Sequence, residues 1–359
     1  MIVLHVDGVT AVEAAAPDQP TATVWRSDKM APMTSSPAQT TVAGQSVAAL
    51  GEHGLVGAVT ALLAATTETD PDVLIGPGDD AALVRVGGGE VIVSTDVAVE
   101  GRHFRRDWSS GEDVGHRVAA SNLADIAAMG GRPRALVVAL SAPGDLPAQW
   151  ALDLTRGLVD EAAEVGARIV GGDVSAADQV QVAVTVLGAA ESGVVRRGTA
   201  SAGDVVAVTG RLGWAAAGYA VLSRGFRSPR VVVEAHRRPR PPYAPGPAAA
   251  AAGVPALVDV SDGLLADLGQ VARASGVRID IQASAFDVPE PLQAVGAALG
   301  AEPMRLILTG GDDHALAATF PPDVLLPDGW AVVGAVGSGE GVTVDGAAYD
   351  GPQGHQHFT

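Results

Sequence analysis

The sequence predicts a protein of mixed α/β class built as two domains, and three observations carry that prediction. Its 359 residues suffice for two domains with separate cores. Short apolar runs of strand character alternate with helix-period segments over residues 45–190, and again from about residue 200. Acids and glycines recur at the predicted strand ends in both halves, where open α/β layers carry their sites.

Taken in order, residues 1–44 hold Pro, Ser and Thr throughout without sustained periodicity, so they read as a leader with little means of joining a core. "LVGAVTALLAAT" reads as a helix with Leu55, Val59, Leu62 and Leu63 on its apolar side. "AALVRV" and "EVIVSTDV" read as strands joined tightly through Gly87, Gly88 and Gly89. "SSGEDVGHRVAASNLADIAAMG" carries helix signals, with Ser109 or Ser110 as cap and Gly130 as stop. "RALVVAL" then reads as a strand, "LPAQWALDLTRGLVDEAAEVG" as a helix, and "RIVGGD" and "QVAVTVLGAA" as strands. A second domain, residues 200–345, opens with "DVVAVTGRLGWAAAGYAVLSRG", a buried strand, a glycine turn and a helix. The alanine run in "HRRPRPPYAPGPAAAAAG" suits either a helix or a loose segment. "PALVDVSDGLLADLGQVARASG" repeats the strand, turn and helix, "VRIDI" is a strand, and "MRLILTGGDDHALAATF" is expected to repeat the pattern again. "WAVVGAVG" is the last clear strand, leaving residues 346–359 as a tail.

Composition removes several function classes. Hydrophobic residues make up 47% and aromatics only 4%, so the cores must be filled by small branched side chains. The formal charge of −18 disfavours nucleic-acid binding, which relies on basic surface. Cysteine is absent, which excludes disulfides, thiolate metal sites and cysteine nucleophiles and fits a cytoplasmic location. No long uncharged apolar stretch suggests a membrane span, and the first residues lack the pattern of a signal peptide.

The acidic turns carry the chemistry. "GPGDD", "VSTD", "VGGDVS" and "DVSDG" each set an Asp beside glycine or a small hydroxyl residue. Singly, each suits an Asx-turn or a helix cap. Jointly they suit a hard divalent cation such as Mg²⁺, which prefers carboxylate oxygens and makes clustered acids favourable. Asp125 adds to this set, lying in "SNLADIAAMG" among small and apolar residues; on a helix it shares a face with Asn122 and Val118. A "GxxxxGK[ST]" phosphate loop is missing, so bound phosphate would need the cations and arginines such as Arg196 and Arg197.

These motifs, in this order and spacing, resemble those of the thiamine-monophosphate kinases, in the fold family that includes aminoimidazole ribonucleotide synthetase. The likeness rests on "GPGDDAAL", "VSTDVAVEGRHF", "ASNLADIAAMG", "IVGGDVS", "RRGTASAGDVVAVTGRLG", "LVDVSDGLLADL" and "TGGDDHAL". It implies a two-domain aminoimidazole ribonucleotide synthetase-like fold, with an N-terminal mixed-sheet domain plus a C-terminal α/β domain. The implied reaction phosphorylates thiamine monophosphate with ATP and several Mg²⁺ ions to give thiamine diphosphate, in a homodimer. Asp80, Ser94, Thr95, Asp96, Asp125, Asp173, Asp259 and Asp262 match magnesium ligands. Gly172, Asp173, Arg197 and Ser261 match nucleotide contacts. His103, Asp312 and His355 fall at substrate positions. The family's "GGEDYEL" reads "GGDDHAL" here, and His355 stands where an aromatic is usual, which leaves Trp330 or Phe358 as other candidate ring surfaces. Those departures cluster on the acceptor side. Two alternatives remain open: another ATP-using enzyme of the same fold, a synthetase or a kinase with a different phosphorylated substrate, and a non-catalytic ATP–Mg-binding homologue.

Overall fold

The computed structural model describes residues 71–355 except 77, 78 and 88, together with the isolated positions 54, 57, 58, 60 and 61. The predicted leader, the four apolar positions of the Leu55 helix and Phe358 lie outside the described residues.

The first sheet has six strands, β1 (Val73–Ile75), β2 (Ala82–Val86), β3 (Gly89–Val99), β4 (Arg132–Ala142), β5 (Arg168–Ala176) and β6 (Gln181–Ala189). Their order is β1-β2-β3-β6-β4-β5, and it is mixed because β4 and β5 pair in parallel while the other neighbours are antiparallel. Alternation decides which side is covered. Val182, Val184 and Val186 of β6 are fully buried, and Asp96 stands opposite Val184, so Asp96 and Ser94 face inward while Thr95 faces out. Two helices, α1 (Gly111–Ala128) and α2 (Ala148–Glu164), belong to this half. As predicted, Ser110 caps α1 through a reciprocal box with Asp113, and Gly130 ends it with φ 73°. The two helices cross closely because Gly115 and Gly157 sit at the contact. A Cβ on Gly157 would clash with the Glu112 carbonyl, and one on Gly115 with the Leu154 carbonyl.

The second sheet has seven strands: β7 (Val205–Thr209), β8 (Ala256–Val260), β9 (Arg278–Ile281), β10 (Ala315–Phe320), β11 (Ala331–Gly337), β12 (Gly341–Val344) and β13 (Ala347–Ala348). They run β13-β12-β9-β11-β7-β10-β8. The helices of this half are α3 (Trp214–Ser223), α4 (Arg230–Arg237), α5 (Pro245–Ala251), α6 (Leu264–Ser275), α7 (Glu290–Leu299) and α8 (Pro303–Thr309). The alanine run is helical, as α5. Its core is Val, Leu, Ile and Ala almost throughout, as the low aromatic content requires.

Two expectations need correction. "MRLILTGGDDHALAATF" forms helix, turn and strand, the reverse of the expected order. Pro303 suits the first turn of a helix, and the alanine-rich end is buried at all six positions between β7 and β8, where only small side chains fit. The acids also do not all lie at strand ends: Asp96, Asp173 and Asp259 lie within β3, β5 and β8. The strands run on because side chains alternate out of the pleat, so a polar residue on either face leaves the backbone ladder intact.

Candidate active site

Acids from three elements meet at one point. Asp80 precedes β2, Asp125 lies on α1 and Asp259 on β8, and their carboxylate oxygens lie within 4.8 Å of one another. The Asp80 side chain is 1% exposed and Asp259 is buried. Such a group repels itself strongly at low dielectric. Arg197 is the main counter-charge. It donates through Nε to Asp80 Oδ2 at 3.1 Å and through Nη2 to Asp80 Oδ1, and through Nη1 to Gln270 Oε1. Its backbone N–H donates to Asp79 Oδ2 at 3.2 Å. Serving both oxygens of one carboxylate fixes the guanidinium plane.

One arginine does not balance the group. Burial pushes Asp80 above the ordinary carboxylate range, with Arg197 opposing and the Asp259 charge adding to it. Burial and then the charges of Asp96, Asp259 and Asp80 hold Asp125 well above it. Asp259 goes the other way. Burial would raise it, but the hydrogen bond from His314 Nδ1, at 3.2 Å, leads a set of contacts that keep it low. Burial and mutual repulsion therefore press Asp80 and Asp125 toward their protonated forms when no cation is present. This donor set fits a hard divalent ion, which would replace those protons and meet oxygen ligands only.

The neighbouring predicted residues are tied to this cradle. Ser94 Oγ lies 2.8 Å from Asp125 Oδ2 and 3.2 Å from the Asp80 carbonyl. Asp96 accepts from Ser121 Oγ at 2.8 Å, and its N–H donates to Asn122 Oδ1 at 3.2 Å. Asn122 in turn donates to the Val118 carbonyl at 2.8 Å, joining the residues expected to share that helix face. Asp262 and Ser261 follow β8. The Ser261 carbonyl accepts from Asp312 N at 2.8 Å, and the Asp262 carbonyl accepts from His355 N at 3.0 Å, so the predicted acceptor-side residues do meet this loop. His103 closes a turn: its Nδ1 accepts from Val99 N at 3.0 Å, which leaves that nitrogen no role as a base.

Other predicted residues stand apart. Thr95 Oγ1 donates to the Val184 carbonyl at 3.0 Å on the outer side of the sheet. Gly172 and Asp173 are exposed on β5, separated from β3 by β6 and β4, with Ser175 Oγ donating to Asp173 at 3.0 Å. Trp330 is buried edge-on to Phe320 at 5.2 Å, which rules it out as a ring surface for a ligand.

Sequence reasoning missed the residues that hold the site in shape. Asp267, 1% exposed, accepts from the N–H groups of Asp262 at 3.0 Å and Gly263 at 3.1 Å and so pins the "DVSDG" loop. Its place in the first turn of α6, where an acid meets unpaired N–H groups, was the available signal. Asp313 caps α3 across the fold, accepting from Trp214 N and Ala215 N at 2.9 Å each. Arg117 Nη2 donates to Asp312 Oδ2 at 2.7 Å. The Arg117 guanidinium beside it holds the Asp312 carboxyl below its ordinary range.

The comparisons with known proteins agree with this architecture. The family model "AIR synthase related protein, N-terminal domain" matches residues 78–190, and "AIR synthase related protein, C-terminal domain" matches residues 201–344. Fold and site thus define an AIR synthase related protein. A thiamine-monophosphate kinase of Mycobacterium tuberculosis is 48% identical over 289 residues, covering 80% of this chain and 86% of the relative. The structure of AaThiL complexed with AMPPCP and TMP superposes with a TM-score of 0.76 at 30% identity, covering 86% of this chain and 97% of its own. Thiamine monophosphate kinase from Aquifex aeolicus gives a TM-score of 0.75 at 28% identity, covering 86% and 100%. The chain belongs to the thiamine-monophosphate kinase family.

Proposed function

We propose that the chain transfers the terminal phosphoryl group of ATP to the phosphate of thiamine monophosphate, giving ADP and thiamine diphosphate by direct in-line transfer. The observation that carries this reading is the buried Asp80–Asp125–Asp259 cradle faced by Arg197. The names of the relatives and the AMPPCP and TMP of the AaThiL complex support it.

In this reading Asp80, Asp96, Asp125 and Asp259 hold Mg²⁺ ions, with Ser94, Thr95 and Asp262 as further ligands, while Asp173 on β5 stands apart from this set. Thr95 would offer its backbone, since its hydroxyl points outward. Bound Mg²⁺ supplies neutralisation of phosphate charge in a transfer of this kind. The chain's own residues do the rest. Arg197, held in plane by Asp80 and Gln270, presents a fixed cation toward the nucleotide phosphates, with Ser261 as a further contact; Gly172, on β5, stands apart from them. A phosphate acceptor is already largely ionised near neutral pH, so no side chain need remove a proton. His103 and His355 orient the acceptor and Asp312 holds its far end. The work is positioning and charge placement.

A second copy of the chain fits the outer side of the first sheet. Val97 is exposed on that face of β3, beside Thr95, and a homodimer would cover it. Among the described residues no helix is long and apolar enough to cross a membrane.

The test is ADP release with thiamine monophosphate, unphosphorylated thiamine and an aminoimidazole-ring precursor offered separately as acceptors. The reading predicts turnover with thiamine monophosphate alone, and a requirement for free Mg²⁺ beyond that complexed with ATP. Faster turnover of another acceptor would overturn it.

A further inference from the structure

A second group of metal-ligating side chains lies away from the carboxylate cradle. Glu112 and His116 stand one helical turn apart on α1 and Asp160 lies on α2, with one ligand atom of each within 4.8 Å of the others. The helix contact itself creates the group. Gly157 packs so closely on the backbone of Glu112 and His116 that a Cβ there would clash with both, and Asp160 follows it by one turn. The His116 ring is already oriented from behind. Its Nδ1 lies 3.0 Å from Glu161 Oε2, and the other oxygen of that buried carboxylate accepts from the Tyr243 hydroxyl at 2.5 Å. With the Nδ1 proton given to Glu161, the lone pair of the neutral ring is on Nε2. Metal-ligating histidines are held by a carboxylate in this way. Beside the group opens a cavity of about 730 Å³, with His116, Asp160, Glu161 and Tyr243 on its wall, which gives an ion's remaining ligands room. Asp125 lies nine residues further along α1, roughly 14 Å on the helix axis, so this group is separate from the cradle.

We propose that Glu112, His116 and Asp160 form a second metal site, for a divalent ion of the zinc class rather than for Mg²⁺. The donor set makes the choice. One imidazole nitrogen and two carboxylates suit Zn²⁺ and its neighbours in the first transition row, whereas Mg²⁺ keeps to oxygen and belongs in the cradle. Ligands on opposite sides of a zinc ion are at most about 4.4 Å apart. The span here therefore closes with a small movement of Asp160, which is exposed. Arg238 does not block the site. Its Nη2 holds Glu112 Oε1 at 3.1 Å, but its Nε also donates to Asp113 Oδ1 at 2.5 Å, so the arginine keeps a partner when Glu112 turns to the ion. Three protein ligands leave a coordination position open toward the cavity. The bound ion clasps α1 to α2 at their crossing, and α1 is the helix that carries Asp125.

The experiment uses the full chain, freed of metal by a chelator and then held in excess Mg²⁺ so that the cradle is supplied. Zn²⁺ alone is titrated by calorimetry, and Co²⁺ alone is followed by its visible spectrum, which reports imidazole ligation; neither nucleotide nor acceptor is present. Zn²⁺ should bind despite the Mg²⁺ and raise the melting temperature, as a ligand of the folded state does. Glu161→Gln, which touches only the back of the imidazole, should weaken Zn²⁺ by about tenfold, and His116→Ala or Asp160→Asn by about a hundredfold or more, since each removes a ligand outright. The thermal shift and the cobalt spectrum should be lost with His116→Ala. Asp125→Asn should leave all of this unchanged, because its carboxylate belongs to the cradle. Zn²⁺ that binds His116→Ala as tightly as the wild type, whether at the cradle or near His355, would overturn the proposal. So would a wild-type chain that binds no Zn²⁺ in excess Mg²⁺, or a loss of Zn²⁺ with Asp125→Asn equal to that with His116→Ala. If His116→Ala does not fold, Asp160→Asn, at an exposed position, decides: a loss of about a hundredfold supports the site, and unchanged affinity overturns it.

Discussion

Replacing Arg197 with Met takes the counter-charge from the centre of the site and leaves Asp80 buried without its partner. Arg197 is 16% exposed and Asp80 1%, so this belongs with the buried pairs, where losing one member costs about 3–5 kcal/mol. Part of that penalty should depend on pH. In the variant the lowering by Arg197 is gone, while burial and the Asp259 charge still push the Asp80 carboxyl above its ordinary value of 3.8. A folded-state value raised above the unfolded one stabilises the fold below the unfolded value, and that contribution disappears as pH climbs through the folded value. The deficit of Arg197→Met should therefore be smaller at pH of about 6 than at about 8. Asp80→Asn removes the stranded charge, so the double variant should recover a coupling of about 2–3 kcal/mol. Urea unfolding in the presence of a chelator, run on the wild type, both single variants and the double at the two pH values, measures all of this. A deficit below about 1 kcal/mol, as for an exposed pair, or strictly additive single effects would refute the reasoning.

Asp125→Asn should reduce turnover by orders of magnitude yet raise the stability of the metal-free protein, because it relieves repulsion from Asp96, Asp259 and Asp80; parallel rate and melting measurements decide it. Gly157→Ala places a methyl group against the Glu112 carbonyl and should cost about 1–3 kcal/mol by overpacking; turnover should fall with it, since α1 carries Asp125. Asp313→Ala leaves the N–H groups of Trp214 and Ala215 without their acceptor and should destabilise the protein by about 1–3 kcal/mol in chemical unfolding.

Local signals are legible in the sequence wherever one residue decides a local geometry. Ser110 and Gly130 bracket α1 as expected, and the alternation of β6 gives its buried face directly. The stretch around Leu306 misleads because a short apolar run fits strand or helix equally; Pro303 before it and the neighbours of β10 decide between them, and neighbours are not written in the run itself. At the site, Asp80, Asp125 and Asp259 stand out because three acids in small-residue surroundings have few structural uses. Their partners do not stand out. Arg117 meets Asp312 across 195 positions, and Asp313 reaches Trp214 across 99, distances over which no periodicity reports contact. Thr95 illustrates the opposite case: its motif is visible, but only the strand register with Thr185 and Val184 reveals that its hydroxyl faces away from the cradle.

The central claim is that phosphate accepts phosphate at this cradle. Phosphorus NMR on the full chain with ATP, Mg²⁺ and thiamine monophosphate tests it most directly, because it follows every phosphorus atom. The account predicts that the γ-phosphorus of ATP reappears as the terminal phosphorus of thiamine diphosphate, in step with ADP and without free phosphate. ADP accompanied by inorganic phosphate, with thiamine monophosphate unchanged, would contradict it.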